Sequence, residues 1–326
     1  MIKKVIGIGN ALVDALIPIK SEQILIDFEL PKGASTIVSR EKFLDILHEA
    51  EPFIEKKVAG GSAANTIHGI AALGMQTGFI GKIGEDVYGN FLESDMKERH
   101  ITPFLLKGKH ETGMAITFIT PDSERTFAVY LGAALELDAN DLFEEMFQGY
   151  DYFHIEGYLI QNYDLMRRAM FLAKQSGAKI SLDLASYTMV EWHRAFLQEM
   201  VEKYVDIIFA NEEEALAFTG KQPDDALLKL SEKSEIAVVK IGKKGALAFY
   251  QNQKIYEPAI DASPIDTTGA GDLYASGFLY GLGMGYNVHK CAKIGSLLAG
   301  NVIQYLGAKI NDKDWEQIKQ EIANTP

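Results

Sequence analysis

A glycine-rich run near the carboxyl terminus combines residue types that phosphate chemistry uses. Gly269, Ala270 and Gly271 precede an apolar stretch typical of a helix, and Asp272 falls in its first turn. The first N–H groups of a helix lack partners inside it and point outward at the positive end of its dipole, where an anion can bind. A carboxylate at that place can accept a proton from an attacking hydroxyl. The run therefore predicts a phosphoryl-transfer site, and simple helix capping by Asp272 is the other interpretation.

A second glycine pair lies in the first quarter of the chain. Gly60 and Gly61 are followed by Ser62, a residue typical of helix N-caps, and by an apolar helical stretch. Backbone at glycine can approach a ligand without interference from a side chain, and Asn65, one turn into the helix, would point back at that ligand. A glycine turn before a packed helix accounts for the same residues, so the pair alone leaves both interpretations open.

The elements that must position these residues follow a regular order. Short apolar runs at residues 5–8, 150–155, 179–184, 206–210 and 236–241 alternate with stretches of helical periodicity at residues 164–175, 189–203, 212–219 and 224–231. This alternation is typical of strand–helix–strand units. It predicts an α/β fold with a mostly parallel sheet that is covered by helices on both faces.

Residues 104–130 have a different pattern. Apolar and polar residues alternate around a turn signal at Pro121 and Asp122, which predicts a β-hairpin. Residues 12–19 and 34–38 would add strands to the same small sheet. We therefore expect a single domain over residues 1–326, with a β-rich lid formed by insertions around 12–40 and 104–130.

Composition and charge exclude several classes of protein. The 326 residues include 32 Lys and Arg against 45 Asp and Glu, a net charge of −13 that disfavours binding to nucleic acid. The single cysteine, Cys291, excludes a disulfide framework and a cysteine-based zinc site. There is no P-loop sequence, no complete dinucleotide fingerprint and no apolar run of about 18 residues, so we expect a cytoplasmic protein without a membrane span.

The two glycine clusters together resemble the signatures of the PfkB/ribokinase family of ATP-dependent sugar and nucleoside kinases. Residues 60–74 (GGSAANTIHGIAALG) are similar to its N-terminal signature, and residues 266–278 (DTTGAGDLYASGF) to its C-terminal one. Between them, residues 211–214 resemble the family's NxxE element and residues 238–242 its nucleotide-contacting strand end. The resemblance implies a ribokinase-like three-layer α/β/α sandwich with a mostly parallel central sheet and a small β-sheet lid.

The resemblance also implies roles for particular residues. Asp272 would be the general base, with Gly269, Ala270 and Gly271 as the anion hole. It implies ATP and Mg²⁺ as cofactors, and K⁺ as a further candidate. The remaining residues that it assigns are Asn211 and Glu214 for Mg²⁺ and phosphates, Lys240 and Gly242 along ATP, Arg125 as a lid arginine directed at phosphates, and Asp266 and Thr268 in a monovalent-cation site.

The acceptor is suggested by small differences within the family. Asn10, Leu12 and Asp14 resemble the pattern of adenosine kinases, in which an apolar residue stands before the aspartate. Asp14 could accept bonds from two ribose hydroxyls while Leu12 offers an apolar surface to a base. Gly60, Gly61, Ser62 and Asn65 match the same enzymes. Tyr158 falls where they place an aromatic that stacks on the nucleobase, although a core tyrosine at a strand end explains it equally well.

We therefore expect transfer of the γ-phosphoryl group of ATP to a primary hydroxyl of a nucleoside, with adenosine giving AMP as the leading reaction. A sugar kinase acting on ribose, fructose or a related sugar is the first alternative. A non-catalytic ligand sensor on the same fold and a nicotinamide oxidoreductase are more distant ones. The sequence leaves the oligomeric state open between monomer and homodimer.

Overall fold

The computed structural model describes residues 2–122 and 124–324. Its strands are β1 (Val5–Ile8), β2 (Leu12–Pro18), β3 (Ser35–Ile37), β4 (Lys56–Gly60), β5 (Thr77–Ile83), β6 (Ile101–Lys107), β7 (Thr112–Ile119), β8 (Arg125–Gly132), β9 (Tyr152–Glu156), β10 (Lys179–Asp183), β11 (Ile207–Asn211), β12 (Ile236–Lys240), β13 (Ala246–Tyr250) and β14 (Gln253–Glu257). Its α-helices are α1 (Gln23–Asp27), α2 (Arg40–Ala50), α3 (Ser62–Ala72), α4 (Val87–Glu98), α5 (Tyr163–Gln175), α6 (Tyr187–Tyr204), α7 (Glu212–Thr219), α8 (Pro223–Ser231), α9 (Ala270–Gly283), α10 (Val288–Val302) and α11 (Trp315–Asn324).

The larger sheet has nine strands in the order β14-β13-β12-β11-β10-β9-β1-β5-β6. The strands from β12 to β6 are parallel to their neighbours, and β13 and β14 add an antiparallel edge. The predicted α/β class with a mostly parallel sheet is confirmed. The strands and helices predicted from residue 150 to residue 241 are present with ends shifted by at most two residues.

Successive residues of the central strands face opposite layers, as the two-residue repeat of a strand requires. On β1, Val5 belongs to an apolar cluster with residues of α3, α9 and α10. Its neighbours Ile6 and Ile8 belong to a second cluster with residues of α5, α6 and α8. Helices therefore cover both faces of the sheet, and its strand ends are the edges left for a ligand.

A separate five-stranded sheet has the order β3-β8-β7-β2-β4. Its centre is the predicted hairpin, whose turn contains Pro121 and Asp122, together with strand β2. The predicted span is wrong at one end, because β6 pairs in parallel with β5 in the larger sheet, so residues 104–107 do not belong to the small one. Strand β4 was missed; it pairs with β2 and leads directly into Gly60 and Gly61.

None of the helices within residues 2–122 and 124–324 is long and apolar enough to cross a bilayer. Cys291, predicted to take part in no disulfide, is buried with a free thiol on α10.

Candidate active site

Four adjacent parallel strands end in polar side chains at one edge of the large sheet. Glu156 ends β9, Asp183 ends β10, Asn211 ends β11 and Lys240 ends β12. The register pairs Glu156 with Asp183 and Asn211 with Lys240, so these residues form a row. The carboxyl ends of parallel strands are where ligands bind in open α/β sheets. Asn211 and Lys240 were predicted from the sequence as site residues, and Glu156 and Asp183 were not.

Asp272 joins the two glycine clusters. Its carboxylate accepts a hydrogen bond from Ser62 Oγ at 2.7 Å on Oδ1 and one from Asn65 Nδ2 at 2.9 Å on Oδ2. Ser62 and Asn65 lie in the first turns of α3, and Asp272 lies in the first turn of α9, so two helix amino termini converge here. The structure thus brings together residues that are far apart in the sequence.

The environment of Asp272 raises the pKa of its carboxyl toward neutral pH. Burial raises the pKa of this carboxyl to about 6, although the hydrogen bonds from Asn65 and Ser62 lower it. The neighbouring carboxylate of Asp183 raises the pKa and the ammonium of Lys240 lowers it. A general base works best when its pKa lies near the operating pH, and Asp272 meets that condition.

The loop before α9 has the backbone conformation that an anion site needs. Gly269 is the N-cap of α9 in the left-handed region, with φ 75°, and a Cβ there would lie 2.4 Å from Ala308 Cβ. The N–H of Ala270 already donates to the carbonyl of Thr267 at 3.3 Å, so this predicted donor is engaged within the turn. In the described part of the chain, the N–H of Gly271 has no hydrogen-bond partner.

A buried ion pair stands beside this loop. Lys240 Nζ lies 2.7 Å from Asp183 Oδ2, and the two side chains are 16% and 6% exposed. A Cβ built on Gly271 would lie 3.1 Å from the same ammonium. Burial disfavours the charged form of Lys240, but Asp183, Glu214 and Asp272 together raise its pKa. Lys240 is therefore held as a cation next to the predicted anion hole.

Asp14 brings a carboxylate from the small sheet. A Cβ on Gly60 would lie 2.2 Å from Asp14 Oδ2, so the carboxylate lies directly against the glycine backbone. Burial raises the pKa of Asp14 to about 7, with an opposing effect from Lys309 and a further rise from Asp272. Asp14 and Asp272 therefore lie within electrostatic reach of each other across the space between the two sheets.

Leu12 shares the face of β2 that carries Asp14, since it lies two residues before it. It packs in an apolar cluster with Ala115, Val129 and Leu131 of the neighbouring strands. The small sheet thus presents one carboxylate set in an apolar surface.

Comparison with known proteins shows which family the chain belongs to. A family model described as pfkB family carbohydrate kinase matches residues 46–315. The chain belongs to this family. Among curated proteins, a 5-dehydro-2-deoxygluconokinase from Geobacillus thermodenitrificans (strain NG80-2) is 31% identical over 288 residues, 82% of this chain and 84% of that protein.

Two solved structures resemble the kinase closely over almost its whole length. A probable sugar kinase from Rhizobium etli CFN 42 is 31% identical with a TM-score of 0.90, covering 98% of both chains. An adenosine kinase from Sinorhizobium meliloti is 30% identical with a TM-score of 0.90, covering 98% of this chain and 100% of that one. The predicted ribokinase-like fold is confirmed. The chain is a kinase that phosphorylates a hydroxyl of a small molecule, and its family implies ATP as donor and typically Mg²⁺.

The NxxE element of this pfkB-family kinase forms the start of α7. Asn211 Oδ1 accepts from the backbone N–H of Glu214 at 2.8 Å, and the Glu214 carboxylate accepts from the backbone and side-chain N–H groups of Asn211, each at 2.8 Å. Burial raises the pKa of Glu214 to about 7, Lys240 lowers it and Asp183 raises it. The pair is a helix capping box, and its role toward Mg²⁺ stays a prediction.

Two predicted acceptor-site residues lie beside this row. Asn10 is buried, and both its backbone N–H and its Nδ2 donate to Glu156 at 2.9 and 2.6 Å, which leaves Oδ1 and the second Nδ2 hydrogen for a ligand. Tyr158 follows β9 in a short 3₁₀ helix and is half-buried. Burial raises the pKa of its hydroxyl, and the carboxylates of Glu214 and Asp272 raise it further, which places Tyr158 among the charged groups of the site.

The residues predicted for phosphates and cations are distributed around the edge. Arg125 begins β8 on the small sheet, 5.7 Å from the ring of Phe127, and its Nε has no hydrogen-bond partner in the described residues. Gly242 follows β12 with φ 56° and open space around it. Arg125 thus lies on the small sheet and Gly242 at the edge of the large sheet. Their roles toward ATP remain predictions.

Asp266 and Thr268 form a closed loop. One Asp266 oxygen accepts from the N–H and Oγ1 of Thr268 at 2.8 and 2.5 Å, and the other accepts from the N–H of Gly307 at 2.7 Å. These bonds attach the loop before α9 to the segment that packs on Gly269. Residues 2–122 and 124–324 contain no group of three or more His, Cys, Asp or Glu side chains placed to hold a metal ion. The K⁺ site stays a prediction.

A cavity of about 690 Å³ lies away from all these groups. Lys179, Ile207 and Ile236, the first residues of β10, β11 and β12, line it together with Tyr250 and Tyr286. It therefore opens at the amino-terminal edge of the large sheet, opposite the charged row. Charge and hydrogen bonding, rather than cavity size, identify the candidate site in this kinase.

Proposed function

We propose that this kinase transfers the γ-phosphoryl group of ATP to a primary hydroxyl of a nucleoside, with the 5′-hydroxyl of adenosine as the preferred acceptor. The supporting observation is the face of the small sheet, where strand register places Asp14 beside Leu12, Ala115 and Val129 while the charge of Asp272 raises its pKa. A nucleoside offers matching chemistry, because its ribose has a pair of hydroxyl donors and its base has apolar faces. The similarity to the Sinorhizobium meliloti adenosine kinase supports the same choice.

Asp272 acts as the general base in this proposal. Ser62 and Asn65 hold both of its carboxylate oxygens by donating to them, which fixes the orientation of the group before the acceptor arrives. With a pKa of about 6, the carboxylate is ionised at neutral pH and accepts the proton of the attacking hydroxyl as the new P–O bond forms. The bond to the leaving ADP breaks in the same transfer.

Charge on the transferred group is stabilised at the start of α9. The free N–H of Gly271, the positive end of the helix dipole and the Lys240 ammonium lie side by side there. Four buried carboxylates of the site, those of Asp14, Glu156, Glu214 and Asp272, have pKa values raised by burial, so they are undercompensated by positive charge. When bound, Mg²⁺ would supply positive charge to the phosphates; Asn211 and Glu214 would hold it through water, because both Glu214 oxygens already accept hydrogen bonds from Asn211.

The small sheet serves as the lid in this proposal. It carries Asp14 toward the acceptor, and in this proposal lid closure brings Arg125, which lies beside Ile119 and Pro18 at the far end of the sheet, toward the phosphates. Closing the lid over the edge of the large sheet excludes water, which would otherwise accept the phosphoryl group.

An ADP-release assay over adenosine, other nucleosides, ribose, fructose and 5-dehydro-2-deoxygluconate tests the proposal. We expect the highest kcat/KM with adenosine, and Asp272→Asn to lower kcat by about 10²- to 10⁴-fold while leaving ATP binding intact. Asp261→Asn, the same change at an exposed site, is the control and should leave kcat unchanged. Near-wild-type turnover of Asp272→Asn would exclude the general-base role, and turnover of a sugar without turnover of adenosine would exclude the nucleoside.

A sugar acid is the second candidate acceptor. One cation lies within electrostatic reach of Asp14: Lys309, which has no hydrogen bond or ion pair within the described residues. Burial lowers the pKa of Lys309 to about 8, as expected for an ammonium that lacks a close counter-ion. A carboxylate-bearing acceptor would supply that counter-ion, and the curated Geobacillus relative is named for such a substrate. Lys309→Met separates the cases, because it would impair the use of a sugar acid far more than that of adenosine.

A further inference from the structure

A buried glutamate connects the two sides of the candidate site. Glu156 is 1% exposed at the end of β9. Its Oε1 accepts from the backbone N–H and the Nδ2 of Asn10, and its Oε2 accepts from the backbone N–H of Ala63 at 2.8 Å. Asn10 lies two residues before β2, which carries Asp14, and Ala63 lies in the first turn of α3. One carboxylate thus connects the loop before β2, which carries Asp14, to α3, whose residues Ser62 and Asn65 donate hydrogen bonds to Asp272.

We propose that Glu156 is a positioning residue that sets the distance between Asp14 and Asp272. It acts through Asn10 on the strand that carries Asp14, and through the first turn of α3 on Ser62 and Asn65, the two donors that orient Asp272. The inference rests on the proposed function of these groups. It adds a specific residue, outside every motif in the sequence, on which the alignment of acceptor and base depends.

The site demands a carboxylate at this position. All three donors that face Glu156 are N–H groups, and an ionised carboxylate has acceptor capacity on both oxygens, whereas an amide has it on one. The N–H of Ala63 also belongs to a helix amino terminus, where a negative charge is favourable. A glutamine would have to turn its NH₂ group toward either Asn10 or Ala63, so one of the two connections would be lost.

The surrounding packing fixes where this carboxylate lies. A Cβ on Gly9 would be 2.2 Å from Glu156 Oε2 and 2.9 Å from Ala63 Cβ, so the strand end, the loop and the helix meet with no spare space. An alanine at residue 9 would displace the carboxylate without changing its charge. This provides a second perturbation of the same connection by a different physical means.

Glu156→Gln tests the proposal, with steady-state kinetics measured for the acceptor and for ATP separately. We expect kcat/KM for the acceptor to fall about 10- to 100-fold, the range found for groups that orient functional residues, while KM for ATP is unchanged. Glu156→Asp keeps a carboxylate but shortens its reach to Asn10 and Ala63, so it should also lower kcat/KM for the acceptor.

Glu235→Gln is the matched control, since it removes one carboxylate charge just before β12, at the opposite edge of the same sheet, and it should leave both constants unchanged. If Glu156→Gln does not fold, Gly9→Ala replaces it, with the same loss of acceptor kcat/KM expected. Wild-type kinetics in folded Glu156→Gln, or an equal loss for acceptor and ATP, would overturn the positioning role. If the Glu156 outcome overturns the positioning role while Asp272→Asn is inactive, the inference fails and the proposed function stands. If Asp272→Asn stays active, the proposed function fails first.

Discussion

Replacing Lys240 by methionine would test the charge arrangement of the site most directly. The side chain keeps its length and apolar stem but loses the ammonium that lies 2.7 Å from Asp183. Asp183 would then remain as an unpaired carboxylate beside Glu214 and Asp272, whose pKa values it already raises. The substitution therefore affects both the stability of the fold and the charge available to the phosphates.

The magnitude follows from the burial of the pair. The two side chains are 16% and 6% exposed, and removing one partner of a buried ion pair costs about 3–5 kcal/mol because the other charge is left uncompensated. The ammonium also lies next to Gly271 at the predicted anion hole. Removing one such electrostatic group lowers kcat by about 10²- to 10³-fold in well-studied sites.

Urea unfolding at pH 8 and an ADP-release assay measure the two effects. Lys174→Met is the control, since the Lys174–Asp206 pair is more exposed and its loss should cost less than about 1 kcal/mol with unchanged turnover. The double variant Lys240→Met/Asp183→Asn should recover most of the stability but none of the turnover, because it removes the unpaired charge of Asp183 without restoring the cation. If Lys240→Met lost no more stability than the control and kept wild-type kcat, the electrostatic reasoning would be refuted.

Two further predictions concern the anion-hole loop and the small sheet. Gly269→Ala should lower the free energy of unfolding by more than about 1 kcal/mol, because φ is 75° and the new Cβ would lie 2.4 Å from that of Ala308; an unchanged urea midpoint would contradict this. Burial raises the pKa of Asp14 from 3.8 to about 7, so between these pH values the folded state binds more protons than the unfolded state and stability falls as pH rises. From pH 5 to pH 8 the contribution of Asp14 to this loss amounts to about 2.5 kcal/mol, so Asp14→Asn should narrow the difference between urea-unfolding curves at the two pH values by that amount, while Glu156, Glu214 and Asp272 keep their own contributions.

The sequence predicted the parts of this fold whose signals are local. The strands and helices between residues 150 and 241 have clear apolar periodicity, and the structure places them within two residues of the prediction. Residues 104–107 were assigned to the wrong sheet because periodicity shows that a segment is a strand but not which neighbour it pairs with. Their place beside β5 depends on α4 returning the chain to the edge of the large sheet, which is tertiary information.

Two buried acids of the site were missed for a related reason. Glu156 and Asp183 are single acidic residues at the ends of apolar strands, and nothing in their immediate sequence distinguishes them from residues that end a strand at the surface. Asn10, the partner of Glu156, follows β1, and Lys240, the partner of Asp183, ends β12; both pairs come together only through the order of the strands in the folded sheet. The useful signal was positional: once the parallel strands were assigned, the last polar residue of each was a candidate.

The electrostatics of the site connect these missed acids to its chemistry. An anion hole made of backbone N–H groups carries no net charge of its own. Here it is surrounded by buried carboxylates whose pKa values burial has raised. Phosphates would be repelled from such an edge unless positive charge enters with them or is already fixed in place. Lys240 is the fixed cation beside Gly271, and Asp183 is what holds it there against the cost of burial. The strand-end acids therefore make an acidic edge able to accept a nucleotide: Asp183 fixes the cation and, in our proposal, Glu156 sets the distance between Asp14 and Asp272.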